Sequence, residues 1–326
     1  MSTNFEGIYP YLVSPVDEQG NVMVEVLERL VNHLIDCGVH GLTPLGSTGE
    51  FFYLTWEQKF KIVETVVRAA NHRVPVIAGV ACSNTAEAIW QTKEFEKLGA
   101  DGILGVLNVY FPLQQNSIIE YYRDLAASTE LPVVVYNNPK FSGFELTVDT
   151  LKKLSEIPNI EYYKDASFNT GRLYSVINEV GSKLKVFSAS AHIPTFVMQM
   201  GGVGWMSGPA CLIPRQSVRL FELCKEKKMG RGHGTPEEAL GNQYQIPEIQ
   251  SCRVRESRTV PAGIRCRKTD SSNGAAGTGS HRRYQKSIGI HGDHINILGY
   301  FHNKRHRLGF ILHTRISQAV PFSITT

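Results

Sequence analysis

The stretch PVVVYNNPKFSGFELTVDTLKKLSEIPNIEYYKDAS, residues 132–167, carries two strands and the helix between them. PVVVY at 132–136 is a short run of apolar, β-branched residues, the pattern of a strand buried on both faces. The amphipathic run at 147–155 reads as a helix. IEYYK at 160–164 reads as the next strand. A strand, a helix and a second strand in that order place the two strands parallel.

Working outward, the same alternation fills the first 229 residues. Strands are predicted at 7–13, 39–44, 74–79, 102–107, 132–136, 160–164, 185–188 and 202–206. Helices are predicted at 22–37, 55–70, 85–98, 117–128, 147–155, 170–179, 193–200 and 215–227. Gly38, Gly99 and Gly181 follow helices where left-handed caps are expected. Doubly wound sheets and closed barrels both alternate in this way. Eight units in about 220 residues without a long insertion favour the α/β fold of a (β/α)8 TIM barrel.

A barrel places its chemistry at the C-terminal ends of its strands. Several polar residues fall there. Gly46, Ser47, Thr48 and Gly49 lie in GSTGE, residues 46–50, after the second strand. Tyr110 follows the fourth strand, Tyr136 ends the fifth, Lys164 ends the sixth, and Met206 ends the eighth. A lysine buried at a strand end loses solvation for its charge, so its pKa falls and the neutral amine becomes accessible. A neutral amine adds to a carbonyl and forms an imine, an electron sink for breaking or making a C–C bond. The alternative is a lysine that reaches solvent or pairs with Asp165. Tyr136 and Tyr110 are candidate proton carriers, with Ser47 as a relay. The glycines let backbone approach a ligand closely, and the Ser47 and Thr48 hydroxyls with nearby N–H groups suit a carboxylate. Otherwise the loop is an ordinary turn with a helix cap.

Taken together, GSTGE, YNNP at 136–139 and YYKDAS at 162–167 resemble the motifs of the dihydrodipicolinate synthase/N-acetylneuraminate lyase family of class I aldolases. The likeness runs from about residue 7 to 228, with every motif in order. It implies that Lys164 forms a Schiff base with pyruvate or a related 2-keto acid. It implies that Tyr136 is the acid/base group, with Ser47 joining it to Tyr110, a tyrosine that in the family completes a neighbouring subunit's site. Thr48 and the loop amides would hold the carboxylate. The resemblance suggests a homotetramer, and the chemistry requires no cofactor and no metal. Two departures narrow the activity. Phe141 stands where dihydrodipicolinate synthases carry an arginine for the second substrate's carboxylate. Ser188-Ala189-Ser190-Ala191 replaces the usual Gly-Asp pair. A lyase acting on another 2-keto acid, such as a sugar-acid derivative, is therefore preferred over dihydrodipicolinate synthesis or sugar-acid dehydration. Phe141, Phe144 and Trp205 suggest a less acidic distal end.

Bulk properties agree with a soluble enzyme. The chain has 326 residues, 42% hydrophobic and 20% charged. No apolar run is long enough to span a membrane, and no secretion signal is evident, so a cytoplasmic location is expected. Six irregularly spaced cysteines suit free thiols better than disulfides or zinc.

The composition changes near residue 230. Residues 230–326 have a net charge of +8 and seven of the eleven histidines, whereas residues 1–229 have −4. Family members continue with about three closing helices, and this segment lacks helical periodicity. Back-translating residues 240–260 and reading from the second codon base can yield WAINTKFQKYNLAACVKAAL, an amphipathic helix of the family type. Residues 261–277 similarly yield FQQEYDVGRPIPPTAQL. The segment is therefore expected to be out-of-frame translation beginning near residues 230–232. Its metal-like HGDH at 291–294 and basic NKRHR at 303–307 are then decoys, and no nucleic-acid or membrane partner is expected. The competing reading is a non-enzyme: the inactive product of a damaged gene, or a basic-tailed nucleic-acid-binding protein.

Overall fold

Short apolar segments pair side by side, all parallel, because each is followed by a helix that returns the chain to the same end. In the computed structural model, the described residues are 4–107, 109–167 and 169–226, with the backbone of 290–291 and 294–295. The strands are β1 (Gly7–Pro10), β2 (Ile77–Cys82), β3 (Gly102–Leu107), β4 (Val133–Asn137), β5 (Ile160–Asp165), β6 (Lys185–Ser188) and β7 (Gly204–Ser207). Their order is β1-β7-β6-β5-β4-β3-β2. The predicted second strand is not a regular strand, yet it closes the ring. Tyr11 bridges to Thr43 and Leu42 bridges to Val76, both in parallel. Leu12 N donates to Thr43 O, and Ile77 N and Gly79 N donate to Leu42 O and Pro44 O. The expected eight-membered parallel barrel is thus formed by seven strands and one bridging segment.

The helices are α1 (Val24–Asp36), α2 (Trp56–Ala70), α3 (Thr85–Lys97), α4 (Gln115–Ala127), α5 (Pro139–Ser142), α6 (Val148–Leu154), α7 (Thr170–Val180), α8 (Pro194–Gln199) and α9 (Pro214–Lys225). Local chemistry fixes several ends. Thr55 and Gln58 form a reciprocal capping box at the start of α2. Gly38 and Gly99 are left-handed, at φ 84° and 92°, as the sequence suggests. Gly181 is not. It has φ −62° and continues the right-handed turn of α7, donating its N–H to Ile177 O.

The barrel interior is rich in aromatic residues. Tyr9, Tyr11, Ile77, Leu104, Val134, Tyr136, Tyr162, Phe187 and Met206 pack there with Phe5. Phe5 plugs the N-terminal end, with its ring 4.9 Å from that of Tyr162 and its N–H donating to the Tyr162 hydroxyl at 2.9 Å. The opposite end carries the loops. Outside the strands, Ile8, Trp205, Ala210 and Phe221 pack in the helical layer.

The chain divides into two units, Met1–Pro247 and Glu248–Thr326. In the second, the antiparallel strands β8 (Ile290–His291) and β9 (His294–Ile295) are described, with His291 opposite His294. The remainder of the predicted aberrant segment, including 303–307 and the side chains of 291–294, lies outside the described residues. Among the described residues, no helix is long and apolar enough to cross a membrane.

Candidate active site

Strand alternation decides what Lys164 does. Along β5, Tyr162 points into the barrel core, and Lys164, two residues on, points the same way. Asp165 points to the other face. It is fully buried there and accepts from Asn137 Nδ2 at 3.1 Å, from Ser167 N at 2.7 Å and from the Tyr163 hydroxyl. Arg172 Nη1 lies 2.8 Å from Asp165 Oδ2. Asp165 is therefore engaged behind the strand, and the alternative of a Lys164–Asp165 pair is not realised.

Lys164 is 2% exposed. Burial pushes its pKa well below the usual lysine value, with the charge of Asp165 opposing only in part. Its Nζ lies between two aromatic faces, 3.7 Å from the centroid of Tyr136 and 4.2 Å from that of Tyr11. The aromatic faces favour a cation at Nζ, while burial favours the free amine. A resting amine that becomes a cationic iminium suits both conditions.

Tyr136 is the penultimate residue of β4, in register with Lys164. Its hydroxyl lies 3.5 Å from Ser47 Oγ, at the long limit of a hydrogen bond, and accepts from Asn138 Nδ2 at 2.7 Å. Burial raises its pKa, and the Ser47 and Asn138 contacts offset part of the rise. Asn138 lay in plain view in YNNP, and its adjacency to the tyrosine was the only sequence signal for its role.

The GSTGE loop is held tightly. Leu45 is buried and left-handed at φ 58°, and Glu50 is left-handed at φ 53°. Such strain in non-glycine residues gathers at functional loops. Gly79 permits the bend, since a Cβ there would come within 2.2 Å of Leu45 O. A Cβ on Gly46 would meet the Tyr11 ring at 2.3 Å. Within the turn, Gly49 N donates to Gly46 O and Glu50 N to Ser47 O. Those two amides are spent, which narrows the expected carboxylate donors to the N–H groups and hydroxyls of Ser47 and Thr48. Met206 is fully buried in the same core cluster as Tyr136, in register with Tyr9.

Two expected residues lie elsewhere. Tyr110 is 91% exposed, with its ring 4.8 Å from that of Phe111, and does not join Ser47 within this chain. Trp205 pairs with Ile8 in register and faces the helical layer. It therefore contributes nothing to the distal end, because it lies on the wrong side of the pleat. Phe141 is exposed on α5 and Phe144 is half-buried. Beside them, Pro139, Lys140, Glu145, Ala166, Ser167 and Asn169 line a cleft of about 450 Å³.

Comparison with known proteins places this arrangement. The model of the Dihydrodipicolinate synthetase family matches residues 4–265. The chain belongs to this family. A 4-hydroxy-tetrahydrodipicolinate synthase of Oceanobacillus iheyensis is 36% identical over 219 residues, covering 67% of this chain and 74% of that protein. The dihydrodipicolinate synthase of Acinetobacter baumannii, solved with pyruvate, superposes with a TM-score of 0.69 at 30% identity. That likeness covers 78% of this chain and 85% of that one. CdNal from Clostridium difficile, solved with mannosamine, gives a TM-score of 0.70 at 25% identity, covering 77% and 84%. As a member of the dihydrodipicolinate synthetase family, this chain is a lyase of the class I aldolase type.

Proposed function

We propose that Lys164 captures the C2 carbonyl of pyruvate or a related 2-keto acid. The supporting observation is a neutral-leaning amine buried between two tyrosine faces at the open end of the barrel. The amine adds to C2 and water leaves. In cleavage of a 4-hydroxy-2-keto acid the iminium takes the electron pair of the C3–C4 bond as the C4 hydroxyl loses its proton, leaving an enamine and a C4 carbonyl. In synthesis from pyruvate a C3 proton is lost to give the same enamine. Tyr136 carries the proton between substrate atoms, with Ser47 beside it as relay. Thr48 and the loop backbone orient the carboxylate, and Met206 packs beneath. Tyr110 serves a neighbouring copy, which fits its exposure and implies a homo-oligomer, a tetramer by family resemblance. The enzyme would act in the cytoplasm. The test is borohydride reduction with pyruvate followed by peptide mass mapping. A reduced pyruvate adduct is expected on Lys164. An adduct on another lysine, or none, removes the assignment.

A second reading, dihydrodipicolinate synthesis, draws on the names of the curated relatives. Phe141 weighs against it, because a phenyl ring cannot make the bidentate ion pair an arginine makes with a carboxylate. For residues 230–326 we retain the out-of-frame reading, supported by the change of charge and the recoverable helix. Resequencing across codons 228–245 tests it. A frame that reads through as written would restore the basic segment as a genuine part of the protein.

A further inference from the structure

Lys164 is flanked by two tyrosines, but the proposed mechanism uses only Tyr136. The other, Tyr11, continues β1 through its bridge to Thr43. Alternation along this strand sends Ile8 to the helical layer and Tyr9 and Tyr11 into the core. Tyr11 is 2% exposed, and its ring lies against Gly46 on one side and Lys164 Nζ on another.

Its hydroxyl lacks a partner, as does that of Tyr121 on α4, but of the two it is Tyr11 whose ring lies against Lys164 Nζ. Tyr136 has Ser47 and Asn138, and Tyr162 has Phe5 N and Asn4. Among the described residues the Tyr11 hydroxyl has no partner, nor does Thr43 Oγ1 on the paired segment. Phenylalanine would fill the same space against Gly46 without burying an unpaired donor. Burial also holds the Tyr11 pKa well above the ordinary phenol value, so the group remains a donor at any working pH.

We propose that Tyr11 is a substrate-binding residue whose hydroxyl donates to a carboxylate oxygen of the keto acid held on Lys164. The inference rests on the Schiff-base reading and adds a third phenol to it. The position fits, because the Tyr11 ring bridges the lysine and the start of the loop assigned to the carboxylate. The bond would form only with substrate present, which accounts for an unpaired hydroxyl beside a lysine whose other tyrosine neighbour, Tyr136, is satisfied.

Tyr11→Phe removes only the oxygen. The pyruvate concentration giving half-maximal borohydride trapping should rise about tenfold, as for loss of a charge-assisted hydrogen bond. The Tm without pyruvate should stay level or rise, because no protein contact is lost. The shift in Tm caused by pyruvate should shrink. Unchanged half-saturation overturns the inference. A lower Tm, or a variant that does not fold, also overturns it, since the hydroxyl would then be structural. Absence of an adduct in the wild-type protein instead removes the Lys164 reading, and the role of Tyr11 with it.

Discussion

Lys164→Met is expected to abolish the borohydride adduct at every pyruvate concentration. Turnover should fall by a factor on the order of 10⁴ or more, as when a covalent nucleophile is removed. The same substitution should stabilise the fold. An unfolded lysine titrates near about 10.4, and in the barrel its pKa is held well below that by burial. Between the two values the unfolded chain binds a proton that the native chain does not, so stability rises with pH across that window. Below the native value the full cost is present, and above about pH 10.4 it disappears. Methionine has nothing to titrate and fills similar space. Its Tm should therefore exceed wild type at neutral pH, and the advantage should vanish in strong alkali. Melting curves at several pH values, paired with trapping, check both halves. Equal Tm values throughout would mean that the lysine is better solvated than its 2% exposure indicates.

Asp165→Ala should do the reverse, with a heavy loss of stability. It would leave Arg172 beside Tyr163 without its buried carboxylate. Breaking a buried pair from one side costs about 3–5 kcal/mol. For a domain of this size that is a fall in Tm of roughly 2–4 °C per kcal/mol. Asp165→Asn keeps much of the hydrogen bonding and should recover part of the loss. In whatever fraction remains folded, Lys164 should still be trapped by pyruvate, because Asp165 lies behind the strand. Thermal denaturation with trapping separates the two effects. Loss of trapping in a well-folded Asn variant would show that the lysine depends directly on this carboxylate.

Much of this was legible in the chain. β3 and β6 lie where the apolar runs place them, at Gly102–Leu107 and Lys185–Ser188. Lys164, Tyr136 and Ser47 converge as their motifs imply. Tertiary geometry decided the rest. The segment at 39–44 is apolar enough for a strand, but it bends through left-handed Leu45 and pairs only by bridges. Helix α5, four residues opening on Pro139, is too short to carry a readable period. Trp205 was misplaced by one step of the pleat, which is enough to change its face. Tyr11 could have been found, since IYPY at 8–11 sets Tyr9 and Tyr11 two apart on one face. Arg172 could not, because its partner lies across a loop from it.

The plug formed by Phe5 and Tyr162 has a kinetic consequence. A chamber sealed below has a single doorway. A keto acid tethered at depth occupies the far end of a blind passage, so whatever fragment is cut from it lies nearer the exit. If Lys164 holds the keto acid as proposed, that fragment is expected to leave first, and the keto acid only after water has released it from the lysine. In the synthetic direction the order reverses, and the keto acid must enter before its partner. On the Schiff-base reading, the sequence of arrivals and departures is thus imposed jointly by the covalent tether on Lys164 and by the closed floor of the barrel.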